Sequence, residues 1–246
     1  MRLSKAWIVA SKDFKTFRHR KAIIYSMIGF QIFVAIGLPL IIKYANKQSG
    51  GGNPLPYLPN LMTAFAFWFA IGAAILPMAI ASYSFIGEKV QKSLEPLLAT
   101  PTTDGEIIIG KSLATFIPTI ISTWIGGTVF MVFMNKITAE AFGHTYFPNV
   151  AMWIILLLLA PLVCILAIEI NVLTSAKFND IRSAQQFGTL MFLPFMAIYV
   201  LAEITVFKLT DTNLLIISAI MFALVIILYF LSKATFQREE ILTKWK

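Results

Sequence analysis

Two histidines and one cysteine are all the imidazole and thiol chemistry this chain has. Neither His19 nor His144 has a Cys or a second His at ligand spacing, so no metal site is expected. Cys164 lies in an apolar run, where a lone thiol packs as a small hydrophobe and has no disulfide partner within the chain. No His falls within an apolar run, so no Ser/His/Asp set on facing helices can be assembled. No Gly-x-x-x-x-Gly-Lys-Ser/Thr phosphate loop is read in the chain either. Residues 105–111 hold Gly and Lys, but Ser112 begins an apolar span, so hydrolysis of ATP by this chain is not expected. The remaining candidates are polar groups in apolar surroundings: Glu169 with Asn171, and Glu203. A charged group at mid-span costs about 2.5–3.5 kcal/mol on insertion scales, which makes each a candidate by default. One reading makes them substrate or cation contacts in a transport pathway. The other has each carboxylate reach the interface or pair with a base, Lys208 being in range of Glu203. Catalytic residues are not expected.

The elements that must position these groups are apolar helices. Hydrophobic residues make up 58% of the chain and charged ones 13%, against about 25% charged in an ordinary soluble domain. Six runs approach the roughly 20 apolar residues that a crossing needs: 23–42, 61–86, 112–134, 151–174, 187–207 and 213–232. The expected fold is therefore all-α, a polytopic membrane protein with six transmembrane helices filling 23–232. The segments between them contain no soluble domain. Residues 1–22 are too basic and polar for the core of a cleavable signal.

Sixteen Lys and Arg lie in residues 1–22, 87–111, 175–186 and 233–246, against four in the alternate loops. That asymmetry puts both termini in the cytoplasm. It also accounts for the net charge of +8 without a nucleic-acid partner, since the bases gather at one side of the apolar runs. Within 1–22, Trp7, Ala10, Phe14 and Phe17 share a helical face opposite Lys12, Thr16, His19 and Arg20. Lys15 and Arg18 flank the apolar side and can snorkel to phosphates. The pattern predicts an amphipathic interfacial helix on the cytoplasmic leaflet, with membrane lipid as its partner. Ile8 and Val9 interrupt it, and the alternative is a basic leader that only sets topology. Residues 233–246 form a basic cytoplasmic tail. The first five expected spans each hold a proline, at 39, 77, 118, 161 and 194, which frees a carbonyl and kinks the axis. Ala66, Ala70 and Ala74 recur at i+4, a stripe for close helix contact within or between subunits.

The cytoplasmic segment 87–111 is the most informative. Leu94, Leu97 and Leu98 form one apolar face of a short helix, with Pro96 in its first turn and Pro101 ending it. Thr103 and Glu106 have capping-box spacing for a new helix. The apolar face, rimmed by Glu88, Lys89, Lys92 and Glu95, suits either the membrane surface or a groove on another protein.

This stretch closely resembles the type-two ABC export permease family. Its members carry Glu, a basic residue, Thr or Ser, Leu-Glu, Leu-Leu, a small residue, Thr-Pro, then Glu and Gly-Lys. Glu88, Lys89, Ser93, Leu94, Glu95, Leu97, Leu98, Ala99, Thr100, Pro101, Glu106, Gly110 and Lys111 fill that pattern in order. A second match lies at Asp180, Arg182, Ala184, Gln185, Gln186 and Gly188. The resemblance implies the permease subunit of an ATP-driven exporter, multi-pass in the plasma or inner membrane. Its partners would be a second permease, identical or similar, and cytoplasmic ATP-binding subunits that hold the ATP and Mg. This chain itself would carry no cofactor. Contact with the ATPase would fall on Glu88 to Pro101, as a coupling helix, and a second cytoplasmic contact on Asp180, Arg182, Gln185 and Gln186. Pro96 departs from the usual pattern and shifts the helix start.

Two other classes compete. An ion-gradient-driven secondary transporter would need paired broken helices in repeated halves, and residues 1–134 and 135–246 show no such repeat. A membrane-embedded enzyme is disfavoured by the shortage of His and Cys. The short outer loops, with Gly50, Gly51 and Gly52, supply no capture domain, and nothing selects among drug, lipid, peptide, polysaccharide and sodium as substrate.

Overall fold

In hydrocarbon every backbone N–H and C=O must pair within its own segment, so apolar runs of this length become helices. A computed structural model describes residues 3–48, 58–87, 102–177, 192–203 and 208–235, with Asp180, Ser183, Gln186 and Leu190. Its helices are α1 (Leu3–His19), α2 (Lys21–Ile32), α3 (Leu38–Gln48), α4 (Leu58–Ser82), α5 (Asp104–Phe142), α6 (Val150–Trp153), α7 (Ala160–Lys177), α8 (Phe192–Glu203) and α9 (Asp211–Thr235). Wide π turns join α2 to α3 (Phe33–Gly37) and α6 to α7 (Ile154–Leu159), and a third (Tyr83–Gly87) extends α4.

Five helices among the described residues are long and apolar enough to cross a membrane: Ile23–Tyr44, Asn60–Gly87, Gly105–Glu140, Val150–Ser175 and Asp211–Ser232. The expectation of six is corrected here. Over the span expected at 187–207, residues 187–189, 191 and 204–207 lie outside the described residues, which form α8, 12 residues long. At 1.5 Å per residue that is about 18 Å, short of a hydrocarbon core of about 30 Å. The reason is legible in Pro194, which sits in the first turn of α8, where a helix tolerates proline, and not in a helix interior.

The capping box at the start of α5 is present. The Glu106 N–H donates to the Thr103 hydroxyl (3.4 Å) and the Thr103 N–H to the Glu106 carboxylate (3.0 Å). At its other end Gly143, at φ 73°, donates its N–H to the Ala139 carbonyl, a left-handed cap that suits glycine. The prolines coincide with wide turns in two places, Pro39 after one and Pro161 after another. A π turn would pair the Leu156 carbonyl with the amide of residue 161, which proline lacks. The Trp124 indole N–H donates to that carbonyl instead, at 2.9 Å.

α4 is the central helix, packed on α5, α7 and α8. Ala66, Ala70 and Ala74 are buried within the chain, so their stripe serves contact inside the subunit. α9 is the most peripheral of the five spans, the least buried within the bundle. It runs parallel to α7: Ser232 meets Glu169 at one end, and α9 touches α6 at the other. The bundle thus has an α1 end, where α1 packs along the start of α5, and a far end. The far half carries the largest apolar core, threaded by Phe69, Phe130, Phe147 and Tyr146 in edge-to-face contacts.

Candidate functional site

Residues 88–101, the expected coupling helix, lie outside the described residues, as do Arg182, Gln185 and residues 236–246 of the expected tail. Both stems of that loop are described, and the α1 end is built around them. The first stem is the π turn Tyr83–Gly87, whose Phe85 and Ile86 pack with Ala81, Ile108 of α5 and Val172 of α7. The second is the capped start of α5 at Thr103.

A buried polar tie joins the stems to α1. Asp13, Ser84 and Lys111 are at most 3% exposed. The Ser84 hydroxyl donates to the Asp13 carboxylate. The Lys111 ammonium donates to the Ser84 carbonyl, lies 3.8 Å from the Asp13 carboxylate and stands 5.5 Å above the Phe85 ring. One cation therefore holds both a carboxylate on α1 and the backbone of the turn that leads into the loop. Arg20 adds a second link, stacking on the Tyr83 ring at 4.8 Å. Desolvating a charged pair is costly, and removing one partner leaves an uncompensated buried charge, typically 3–5 kcal/mol.

Gly110 makes the close crossing possible. A Cβ there would stand 2.6 Å from the Ala6 carbonyl oxygen and 2.7 Å from Val9 Cβ. The buried face of α1 is accordingly Ala6, Val9, Ala10, Asp13 and Phe17, while Trp7 is 54% and Ile8 68% exposed. This face is rotated from the Trp7, Ala10, Phe14, Phe17 face read from sequence. Asp13 and Ser84 were missed by that reading. The available signal was Asp13 itself, the one acidic residue among the seven basic ones of residues 1–22.

Letter for letter, residues 105–112 do carry the Gly-x-x-x-x-Gly-Lys-Ser spacing of a phosphate loop, contrary to the expectation above. The structure disposes of it: these residues belong to one continuous helix, and Lys111 is engaged with Asp13 and Ser84. A phosphate loop needs a turn whose amides converge on the anion, and a helix offers none there.

The other candidates separate. Asn171 is fully buried and bridges α7 to α4, its amide donating to the Met78 carbonyl at 3.2 Å and its oxygen accepting from Ser82 at 3.4 Å. Glu169 accepts from Ser232 and lines a cavity of about 220 Å³ with Ile108, Ser112 and Tyr229. Asp180 and Gln186 are exposed. Asp180 accepts from the Ser183 amide (3.0 Å) and hydroxyl (3.1 Å), which makes it the cap of a turn. Glu203 ends α8. Thr115, Thr119 and Thr123 each donate to the carbonyl four residues back, so this hydroxyl stripe is satisfied within its own helix. No group of three His, Cys, Asp or Glu suited to a metal occurs among the described residues.

The sequence model of the family described as ABC-2 family transporter protein matches residues 7–215, most of the chain. The chain belongs to the ABC-2 family. No curated protein matches it. Membership makes the chain a multi-pass plasma-membrane protein with a permease role in an ABC transporter, and it implies association with a nucleotide-binding ABC subunit. ABC-2 permeases are transport proteins without catalytic domains. The matched region contains Asp13, Ser84, Lys111, Glu169 and Asn171, so the polar tie belongs to the ABC-2 domain itself.

Proposed function

We propose that the chain is the membrane subunit of an ATP-driven exporter, in which closure of a cytoplasmic ATPase is received at residues 88–101 and passed to the bundle through the tie Asp13–Ser84–Lys111. The observation that carries the reading is this tie, which fastens α1 to both stems of the loop. A push on the loop cannot move one stem without displacing α1 and the start of α5, because the linkage is dry and directional. The excess of Lys and Arg places the α1 end in the cytoplasm. Exposed Trp7 and Ile8 then face the leaflet, as an interfacial helix requires. Asp180 and Gln186, with Arg182 and Gln185, form a second contact on that side. Glu169, on its small cavity, supplies a polar group to the export pathway, with Glu203 at the end of α8 as a further one, while Asn171 holds α7 to α4. The assembly contains two permease subunits and two ATP-binding subunits.

The test is co-expression with the ATP-binding subunit. Glu88→Lys, Glu95→Lys and Leu97→Asp are expected to weaken co-purification and remove the permease-dependent change in ATPase rate, while the chain still inserts. Wild-type assembly and ATPase rates in all three would overturn the assignment of this loop.

A further inference from the structure

A groove of about 600 Å³ opens between α2 and α5. Ile24, Ile28 and Ile32 line one wall and Pro118, Ile121 and Ile125 the other, each set following one face of its helix. It lies apart from the loop stems and from the cavity beside Glu169. Its surface is almost entirely hydrocarbon. Gln31 and Ser122 are the polar residues that line it, and the Gln31 amide is turned inward, 6% exposed, its nitrogen 3.5 Å from the Thr123 hydroxyl. Gly126 makes room for that amide, since a Cβ there would stand 2.2 Å from its oxygen. The walls are open: Ile28, Ile32, Ile121 and Ile125 are 49–61% exposed.

The length of the groove suits an acyl chain. From Ile24 to Ile36, both on the lining, the groove runs twelve residues along the helix, about 18 Å. That is close to the depth of one leaflet, half of a hydrocarbon core of about 30 Å. The charges near its α1 end suit an anionic headgroup. Phe14 closes the mouth at the α1 end. Arg18, one turn beyond Phe14 on α1, and Lys21, three residues before Ile24 on α2, are exposed and have no ion-pair partner among the described residues. A second copy of the chain docked symmetrically on this groove would bring these cations against their own counterparts. We propose that the groove is a binding site for an anionic phospholipid of the leaflet at the α1 end, one acyl chain lying between α2 and α5 and the phosphate held by Arg18 and Lys21. The bound lipid would be a resident of the fold, fixing α1 against the membrane beside the stems.

The experiment is native mass spectrometry of the full chain released from nanodiscs of equal phosphatidylcholine and phosphatidylglycerol, with oligomeric state recorded. Wild-type protein is expected to retain phosphatidylglycerol in preference to phosphatidylcholine. Arg18→Gln with Lys21→Gln should weaken that preference by roughly fivefold per charge, about 25-fold for the pair. Ile28→Trp with Ile121→Trp should remove the bound lipid and leave the oligomeric state unchanged. Retention without headgroup preference, or unchanged in the charge variant, would overturn the site. A change of oligomeric state on filling the groove would assign it to a second copy instead. The charge variant lies outside the apolar walls, so it decides the matter even if the filled groove fails to fold.

Discussion

The two ends of this bundle are held by different physics. At the far end, rings of Phe69, Phe130 and Phe147 sit 5.5 Å apart in successive edge-to-face contacts and fill a continuous apolar core. At the α1 end the apolar clusters are small, and directional ties run between helices: Asp13 to Ser84 and Lys111, Asn171 to Ser82 and Met78, Glu169 to Ser232. Aromatic packing resists any displacement, because close-packed interiors tolerate little change of volume. Polar ties resist separation but permit the joined pieces to move together. The bundle is thus built as a fixed half and a linked half, and the linked half is the one that adjoins the loop.

Mutations that injure one half and spare the other sharpen that contrast. The largest losses should come from Lys111→Met, which strands a buried carboxylate, and Phe130→Ala, which empties a fully buried ring site. Each is expected to cost about 3–5 kcal/mol in denaturant unfolding monitored by tryptophan fluorescence. The two should differ in rescue. Adding Asp13→Asn to Lys111→Met should recover most of the stability, yet leave ATPase activity unresponsive to the permease. Phe130→Ala should leave that response intact in the fraction that folds. Gly110→Val, which drives a side chain into Ala6 and Val9, is expected to cost about 1–3 kcal/mol and to release α1 to limited proteolysis after Lys12 or Lys15. Asn171→Leu removes the tie of α7 to α4 and should cost about 1–2 kcal/mol, seen as a lower midpoint with the same proteolytic pattern. The smallest effect belongs to the surface pair at the far end, Lys43 and Glu140 at 3.1 Å, both more than half exposed. Lys43→Gln should change stability by less than about 1 kcal/mol.

Much of this was legible in the sequence, for reasons that also explain the gaps. Long apolar runs announce helices, and Thr103 with Glu106 announced where α5 begins. What length could not show was that Pro194 sits in the first turn of α8 and not in a helix interior. The family pattern pointed to Gly110 and Lys111 as residues, but their role is tertiary. Gly110 admits α1, and Lys111 finds its counter-charge 98 positions away, at Asp13. Pairings of that separation leave no local period. The face of α1 that packs on α5 left a weaker signal, because Trp7 and Phe14 outweigh Ala6 and Ala10 in hydrophobicity, whereas close approach to α5 selects the small residues. The lipid groove left no motif at all, being defined by what two isoleucine-rich faces do not touch.

The central claim is that α1 and the loop stems move as one piece. Spin labels at Thr16→Cys on α1 and Gly105→Cys at the second stem, both exposed positions, report that distance in a Cys164→Ala background. A second pair, Thr16→Cys and Asp211→Cys, reports α1 against the far end of α9. When the assembled transporter binds ATP, the first distance should stay fixed while the second shifts, and Asp13→Asn should broaden the first. A change in the first distance with the tie intact, or no change in either, would contradict it.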